Sequence, residues 1–192
     1  MSRPPSWTVV LIVEDDSDGQ ALKALVKRLG LPIRLDWLPA HGIGEIKRRG
    51  RLLIALARDR IRDGRGCMAV LLDRDGKDVA RSEPHRTIRR LCKQEKVPLL
   101  LAVEALEAWL LADAGCAGWL GITSPSNVDS VAYPKKQVER AYRRRTGRPY
   151  TRRARRILAE KADGSAPEHS PSLRQVLAHL HDSPCGEVSP VR

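Results

Sequence analysis

The sequence predicts an α/β fold: a parallel sheet flanked by helices, continued by a basic, mainly helical C-terminal extension. Three observations predict it. Apolar runs at Trp7 to Val13, Cys67 to Leu72 and Val97 to Val103 are short and uncharged, as strands buried on both faces are. Segments of helical period stand between them. Each run also discharges into acid, at Glu14, at Asp73 with Asp75, and at Glu104. When strands alternate with helices, their carboxyl ends share one edge, and chemistry gathers there.

The elements follow in order. After the first strand, apolar residues at 21, 22, 25, 26 and 29 mark a helix over Asp18 to Leu29, which Gly30 stops. PIRLDWL (Pro32 to Leu38) alternates and predicts a second strand; His41 to Gly44 is a loop, and Ile46 to Ile61 a basic amphipathic helix. CMAVLL is the third strand, and DRDGKD after it has turn chemistry. A cationic helix is expected over Pro84 to Gln94, and one more over Ala105 to Ala112 after the fourth strand. Beyond Gly115 the pattern weakens. One or two basic helices are expected over 135–161, broken near Gly147 to Pro149, then a polar loop from Asp163 to Pro171 and a helix from Ser172 to His181. These divisions suggest a core over 1–114, an extension packed on it over 115–182, and a disordered tail over 183–192.

Composition narrows the class. Of the 192 residues 42% are hydrophobic, but only 4% are aromatic and Phe is absent, so Leu, Val, Ile and Ala must fill the core. No apolar stretch of about 18 residues is present, which argues against a membrane span. The N-terminal run is too short for a secretory leader. Cys67, Cys92, Cys116 and Cys185 lack metal-ligand spacing, so zinc is not expected, and reduced thiols in a cytoplasmic protein are.

The net charge is +12, and its placement carries more information than its size. Twelve Lys or Arg face two Glu between Lys135 and Lys161. Such a segment suits a polyanion, whose counterions are released on binding. Lys135, Lys136, Arg143, Arg144, Arg145, Arg148, Arg152, Arg153, Arg155 and Arg156 are therefore candidate contacts to nucleic acid, DNA or RNA. They would hold phosphates without reading bases.

Two kinds of protein open with an apolar strand running into acids. VEDDSD (Val13 to Asp18) resembles the V-E-G-x-S-D opening of the Toprim domain, with Asp15 in place of the usual Gly. LLDRDGKD resembles its second motif, D-x-D, at Asp73 and Asp75. VEALEAWLLAD (Val103 to Asp113), YPKKQVERAY (Tyr133 to Tyr142) and SPSLRQVLAHL (Ser170 to Leu180) resemble an uncharacterised bacterial Toprim-like family, related to OLD-type nucleases and the 5S ribosomal RNA maturase. Leu173 stands where that family carries an aromatic residue. The resemblance spans roughly residues 9 to 180. It implies a nuclease dependent on Mg²⁺ or Mn²⁺, in a phage-defence or abortive-infection setting, working with a separate ATPase or sensor protein. Carried over residue by residue, it implies Glu14, Asp73 and Asp75 as catalytic metal ligands, with Asp18 and Glu104 or Glu107 able to hold a second ion.

Two alternatives stand beside it. A response-regulator receiver also opens on an acid pair, with Asp73 as its phosphoacceptor. However, 59 residues separate Glu14 from Asp73, RDGKD follows it, and no Lys-Pro strand end appears downstream. The other alternative is a non-catalytic nucleic-acid-binding or scaffold subunit. Within either reading Glu14 and Asp18 could serve only as helix caps, and Trp109 is expected in the core rather than as a base-stacking platform.

Overall fold

A computed structural model of the chain describes residues 7–61 and 66–182. Four parallel strands, β1 (Trp7–Val13), β2 (Ile33–Pro39), β3 (Gly66–Asp73) and β4 (Leu99–Ala102), form one sheet in the order β2-β1-β3-β4. The chain moves from β1 outward to β2 and then returns past β1 to β3. The strand order therefore reverses between β1 and β3, and ligands of open α/β sheets bind in the crevice at such a point.

Successive side chains of the central strands enter opposite cores. Val9, Leu11 and Val13 of β1, with Cys67, Ala69 and Leu71 of β3, face one layer. Val10 and Ile12, with Met68, Val70 and Leu72, face the other. Both faces are covered, which is why these strands read as continuous apolar runs.

Among the described residues the second face is closed by α2 (Ile43–Arg60) and α3 (His85–Glu95). The first face is thicker. There α1 (Asp16–Arg28) is joined by α4 (Leu106–Ala112), α5 (Ala114–Leu120), α6 (Pro134–Thr146), α7 (Arg152–Ala159), α8 (Ala166–His169) and α9 (Pro171–Asp182). Helices α4 to α9 contribute to the same apolar cluster as α1 and the sheet. The basic stretch does break into two helices, at Gly147, whose φ of +68° ends α6. Helices α5 and α8 are additions to the expected elements: one lies where the pattern weakens, the other within the expected polar loop. The expected disordered tail lies outside the described residues. No described helix is long and apolar enough to cross a membrane. Cys92 and Cys116 are free and buried, whereas Cys67 is disulfide-bonded, a correction to the expectation of reduced thiols throughout.

Trp109 is fully buried, and its indole N–H donates to Ser172 Oγ (3.0 Å). Ser172 in turn donates to Asp129 Oδ1 (2.9 Å), and its backbone N–H to Asp129 Oδ2 (2.7 Å). Asp113, also fully buried, accepts the N–H groups of Cys116 (2.9 Å), Asp163 (3.0 Å) and Gly164 (3.0 Å). The EAWLLAD block thus ties the helical layer together by satisfying buried polar groups that would otherwise be costly.

Candidate functional site

The site forms where β1 and β3 end side by side. Glu14, the residue after β1, points across the switch point, and its Oε1 accepts the backbone N–H of Asp73 (3.1 Å). Asp73, the last residue of β3, accepts the N–H of Leu106 on Oδ1 (3.0 Å). One hydrogen bond thus links the two strand ends, and the next links β3 to the start of α4.

The acids after Glu14 divide their roles. Asp15 caps α1, accepting from the Ser17 N–H (2.9 Å), while Asp18 reaches back to the Asp15 N–H (2.9 Å), a capping box. Asp18 Oδ1 also pairs with Arg155 of α7. Asp15 pairs with Arg152 one turn earlier on the same helix (2.6 Å). The spacing of three residues on both helices laces α1 to α7 in two rungs. Arg155 continues inward, donating from its second terminal nitrogen to Glu107 Oε1 (2.5 Å) and from its first to Ser17 Oγ (3.1 Å).

Arg155 therefore departs from the expected role of phosphate contact. Its side chain is 11% exposed and Glu107 is fully buried, so the guanidinium is an internal counter-ion. The other nine basic candidates, Lys135, Lys136, Arg143, Arg144, Arg145, Arg148, Arg152, Arg153 and Arg156, are all exposed. Several have company: Arg152 has Asp15, Arg156 has Glu160 (3.7 Å), and Arg145 lies over Trp119 (4.8 Å). Lys136 lies over Tyr133 (4.8 Å), a 67% exposed side chain on a left-handed backbone.

One positive charge does not neutralise this cluster. Burial pushes the Asp73 carboxyl well above the ordinary range, and the charges of Asp18, Glu107 and Glu14 push it further against the pull of Arg155. Burial also raises Glu14, opposed by the Asp73 N–H and reinforced by Asp18 and Asp75. Asp18 is raised by burial despite Arg155. Asp15, at the rim, behaves oppositely: burial would raise it, but hydrogen bonds from Ser17 and the charges of Arg152 and Arg155 hold it low.

Asp75 and Glu104 stand apart from this group. Both have left-handed backbones (φ +51° and +63°), and Asp75 N–H donates to the Glu104 carbonyl (2.8 Å). A left-handed non-glycine residue costs about 1–2 kcal/mol, so two joined by a hydrogen bond mark a loop held in place by its surroundings. Asp75 is 56% exposed, with Lys77 Nζ at 3.9 Å, and the Glu104 carboxylate approaches Gly76. Glu14, Asp18, Asp73 and Glu107 are thus gathered at the edge, while Asp75 and Glu104 form its outer lip.

Sequence reading assigned no role to any histidine. His85, fully buried at the start of α3, donates from Nε2 to the Asp73 carbonyl (2.9 Å), leaving Nδ1 without a hydrogen-bond partner among the described residues. Glu107 Oε2 is buried and unpartnered in the same sense, and burial beside Glu107 raises the pKa of Tyr150, which lies next to Arg155. Nothing in the spacing of these residues announced them. Glu107 and Tyr150 become neighbours of Arg155 only when α7 folds back onto α1 and α4.

The donor chemistry suits a hard divalent cation: oxygen ligands only, under-neutralised, with an orphaned carboxylate oxygen on Glu107. The side-chain directions are another matter. Among the described residues no three His, Cys, Asp or Glu side chains converge as a metal-holding group, and Arg155 sits between Asp18 and Glu107.

A scan against protein-family models finds no matching family, and searches of curated proteins and of solved structures find no significant match.

Proposed function

We propose that the chain is a Toprim-type nuclease that hydrolyses nucleic-acid phosphodiesters with Mg²⁺ or Mn²⁺ at the edge between β1 and β3. A phage-defence or abortive-infection role, in the cytoplasm and with a separate ATPase or sensor partner, belongs to the same proposal. One observation carries it: four carboxylates, from the ends of β1 and β3 and from α1 and α4, lie at a topological switch point with the buried Arg155 guanidinium among them. The remaining negative charge must be met by protons or by a cation; burial first, and neighbouring carboxylates after it, raise the pKa values of Glu14, Asp18 and Asp73.

Glu14 and Asp73 would hold the ion, with Asp75 swinging in from the lip and Asp18 or Glu107 available beside them. The ion would supply charge stabilisation at the phosphoryl oxygens. The Leu106 N–H holds one Asp73 oxygen and the Asp73 N–H holds Glu14 Oε1, so the second oxygen of each carboxylate is the one that would meet the ion. Exposed cations on α6 and α7 would retain the substrate backbone, and Tyr133 offers a ring face for an unpaired base.

A second reading has its own observation. Arg155 already bridges Asp18 and Glu107, as a protein that had replaced its metal by a guanidinium would arrange. That protein would bind nucleic acid without cutting it. Incubation of plasmid DNA and structured RNA with the full chain in Mg²⁺ or Mn²⁺ separates the two. The first reading expects cleavage that EDTA and Asp73→Ala each abolish. Cleavage that survives Asp73→Ala, or binding with no cleavage in either metal, refutes it.

A further inference from the structure

A second cationic surface lies on the opposite face of the sheet. Helices α2 and α3 together carry ten Lys or Arg against three Asp or Glu. Outside 135–161 the chain as a whole is nearly neutral, so acids elsewhere balance the charge that these two basic helices concentrate.

The two helices enclose an open groove of about 650 Å³. Its walls include Lys47, Arg48, Arg49 and Arg51 from α2 and Arg90 from α3, and no carboxylate lines it. Gly50 makes the groove close-fitting: a Cβ there would lie 2.2 Å from Leu91 Cδ2, so a bare backbone lets α3 approach α2. The nearby acids sit on the rim. Glu45 pairs with Arg48 (2.7 Å), Glu83 with Lys47 (3.2 Å), and Glu95 with Arg51 (3.6 Å). Arg48 and Arg51 remain more than two-thirds exposed, and ion pairs of that kind are weak and easily exchanged. Arg49 and Arg90 have no ion-pair partner among the described residues.

Both helices begin at the acidic edge. The Gly42 N–H, capping α2, donates to the Glu14 carbonyl (2.9 Å), and His85 at the start of α3 donates to the Asp73 carbonyl. Lys47 and Thr87, near those starts, form the end of the groove that approaches the acids. Cations repeat along each helix at about 5–6 Å, one turn apart.

We propose that the groove between α2 and α3 binds the phosphate backbone of a nucleic acid and leads it toward Glu14 and Asp73. Charge complementarity and the concave shape select a polyanionic strand over a flat anionic bilayer, although exposed Leu52 on the groove wall makes the bilayer a fair control. The direction of the strand rests on the nuclease reading. Binding does not, so it is measured without divalent metal.

The test is fluorescence anisotropy of the full chain with a labelled duplex DNA in EDTA, over a series of KCl concentrations. Each phosphate contact contributes about 0.9 to the slope of log K against log salt. Arg49→Ala with Arg90→Ala is expected to make the slope shallower by about 1.8 and to weaken binding roughly ten- to a hundredfold near 0.1 M salt. Arg49→Lys with Arg90→Lys is expected to keep most of the affinity, because point charges suffice for phosphate. Unaltered slope and affinity in the alanine pair overturn the proposal. So does an equal loss in both pairs, or binding to phosphatidylserine vesicles with none to DNA. Loss of cleavage alone would leave these readings untouched.

Discussion

Helices α6 and α7 are both strongly basic, yet they use their charge differently. In α6, six Lys or Arg face a single Glu, and the cations stand in solvent. In α7, Arg152 and Arg155 turn toward α1, and Arg155 passes into the interior to meet two carboxylates. The difference comes from what lies opposite. Helix α7 packs on α1, whose first turn already carries Asp15 and Asp18 as caps. Helix α6 packs on α4 and α5 through Val138, Ala141 and Tyr142, where the acids are already engaged, Glu107 by Arg155 and Asp113 by backbone N–H groups. A run of arginines is therefore not one binding site. Each guanidinium is committed by the element it faces.

The largest effect should come from breaking the inward half of this contrast. Arg155→Ala strands Asp18 and Glu107 without their cation, and losing one partner of a buried ion pair costs roughly 3–5 kcal/mol. Arg156→Ala, one residue on and exposed, should stay within about 0.5 kcal/mol of the parent. Urea unfolding of both variants decides it. Equal stabilities would show that Arg155 is not the interior counter-ion.

A smaller effect tests the platform on which α1 presents its acids. A Cβ on Gly19 would lie 2.3–2.5 Å from the Trp37 ring, whose indole N–H donates to Asp16 (2.8 Å). Gly19→Ala should force α1 away from β2 and cost about 1–3 kcal/mol, as overpacking does. Because Asp18 moves with α1, the variant should also weaken the Arg155 pairing. A denaturation midpoint equal to the parent's would contradict the close approach.

The smallest effect is a pH dependence, and it sharpens the contrast between cluster and rim. Asp73, Asp18 and Glu14 have raised folded-state pKa values, so between their unfolded values near 4 and those raised values the folded state binds more protons. Stability in EDTA should therefore rise as pH falls from neutral toward the unfolded values of these groups. Below about 4 the depressed acids, Asp15 among them, reverse the trend as they protonate. Asp73→Asn should flatten the rise. Urea midpoints measured against pH that never rise in this window would show that the cluster is already neutralised.

Much of the fold was legible because buried parallel strands leave an unambiguous trace: β1 and β3 are unbroken apolar runs that end in acid. Glu14 and Asp73 were legible for the same reason, since a strand end fixes where its next side chain emerges. Helix α5 was hidden by its small residues, AGCAGWL, although Asp113 as its cap and Gly121 as its stop were in view. Arg155 was misassigned because four arginines in eight residues look alike until α7 meets α1 and α4. Helices α2 and α3 were each legible as basic, but nothing in the sequence showed that they lie side by side and pool their cations in one groove. His85 had no signal at all, being placed by the path of the DRDGKD loop.

The central claim is that Glu14 and Asp73, ending adjacent strands, share a divalent ion. Titration of the full chain with Mn²⁺, followed by the loss of the free-ion electron paramagnetic resonance signal, tests it without any substrate. The account predicts saturable binding by the parent and a loss of at least about tenfold in affinity for Asp73→Asn, since even outer-shell changes cost that much. No binding by the parent, or equal binding by the variant, would contradict it.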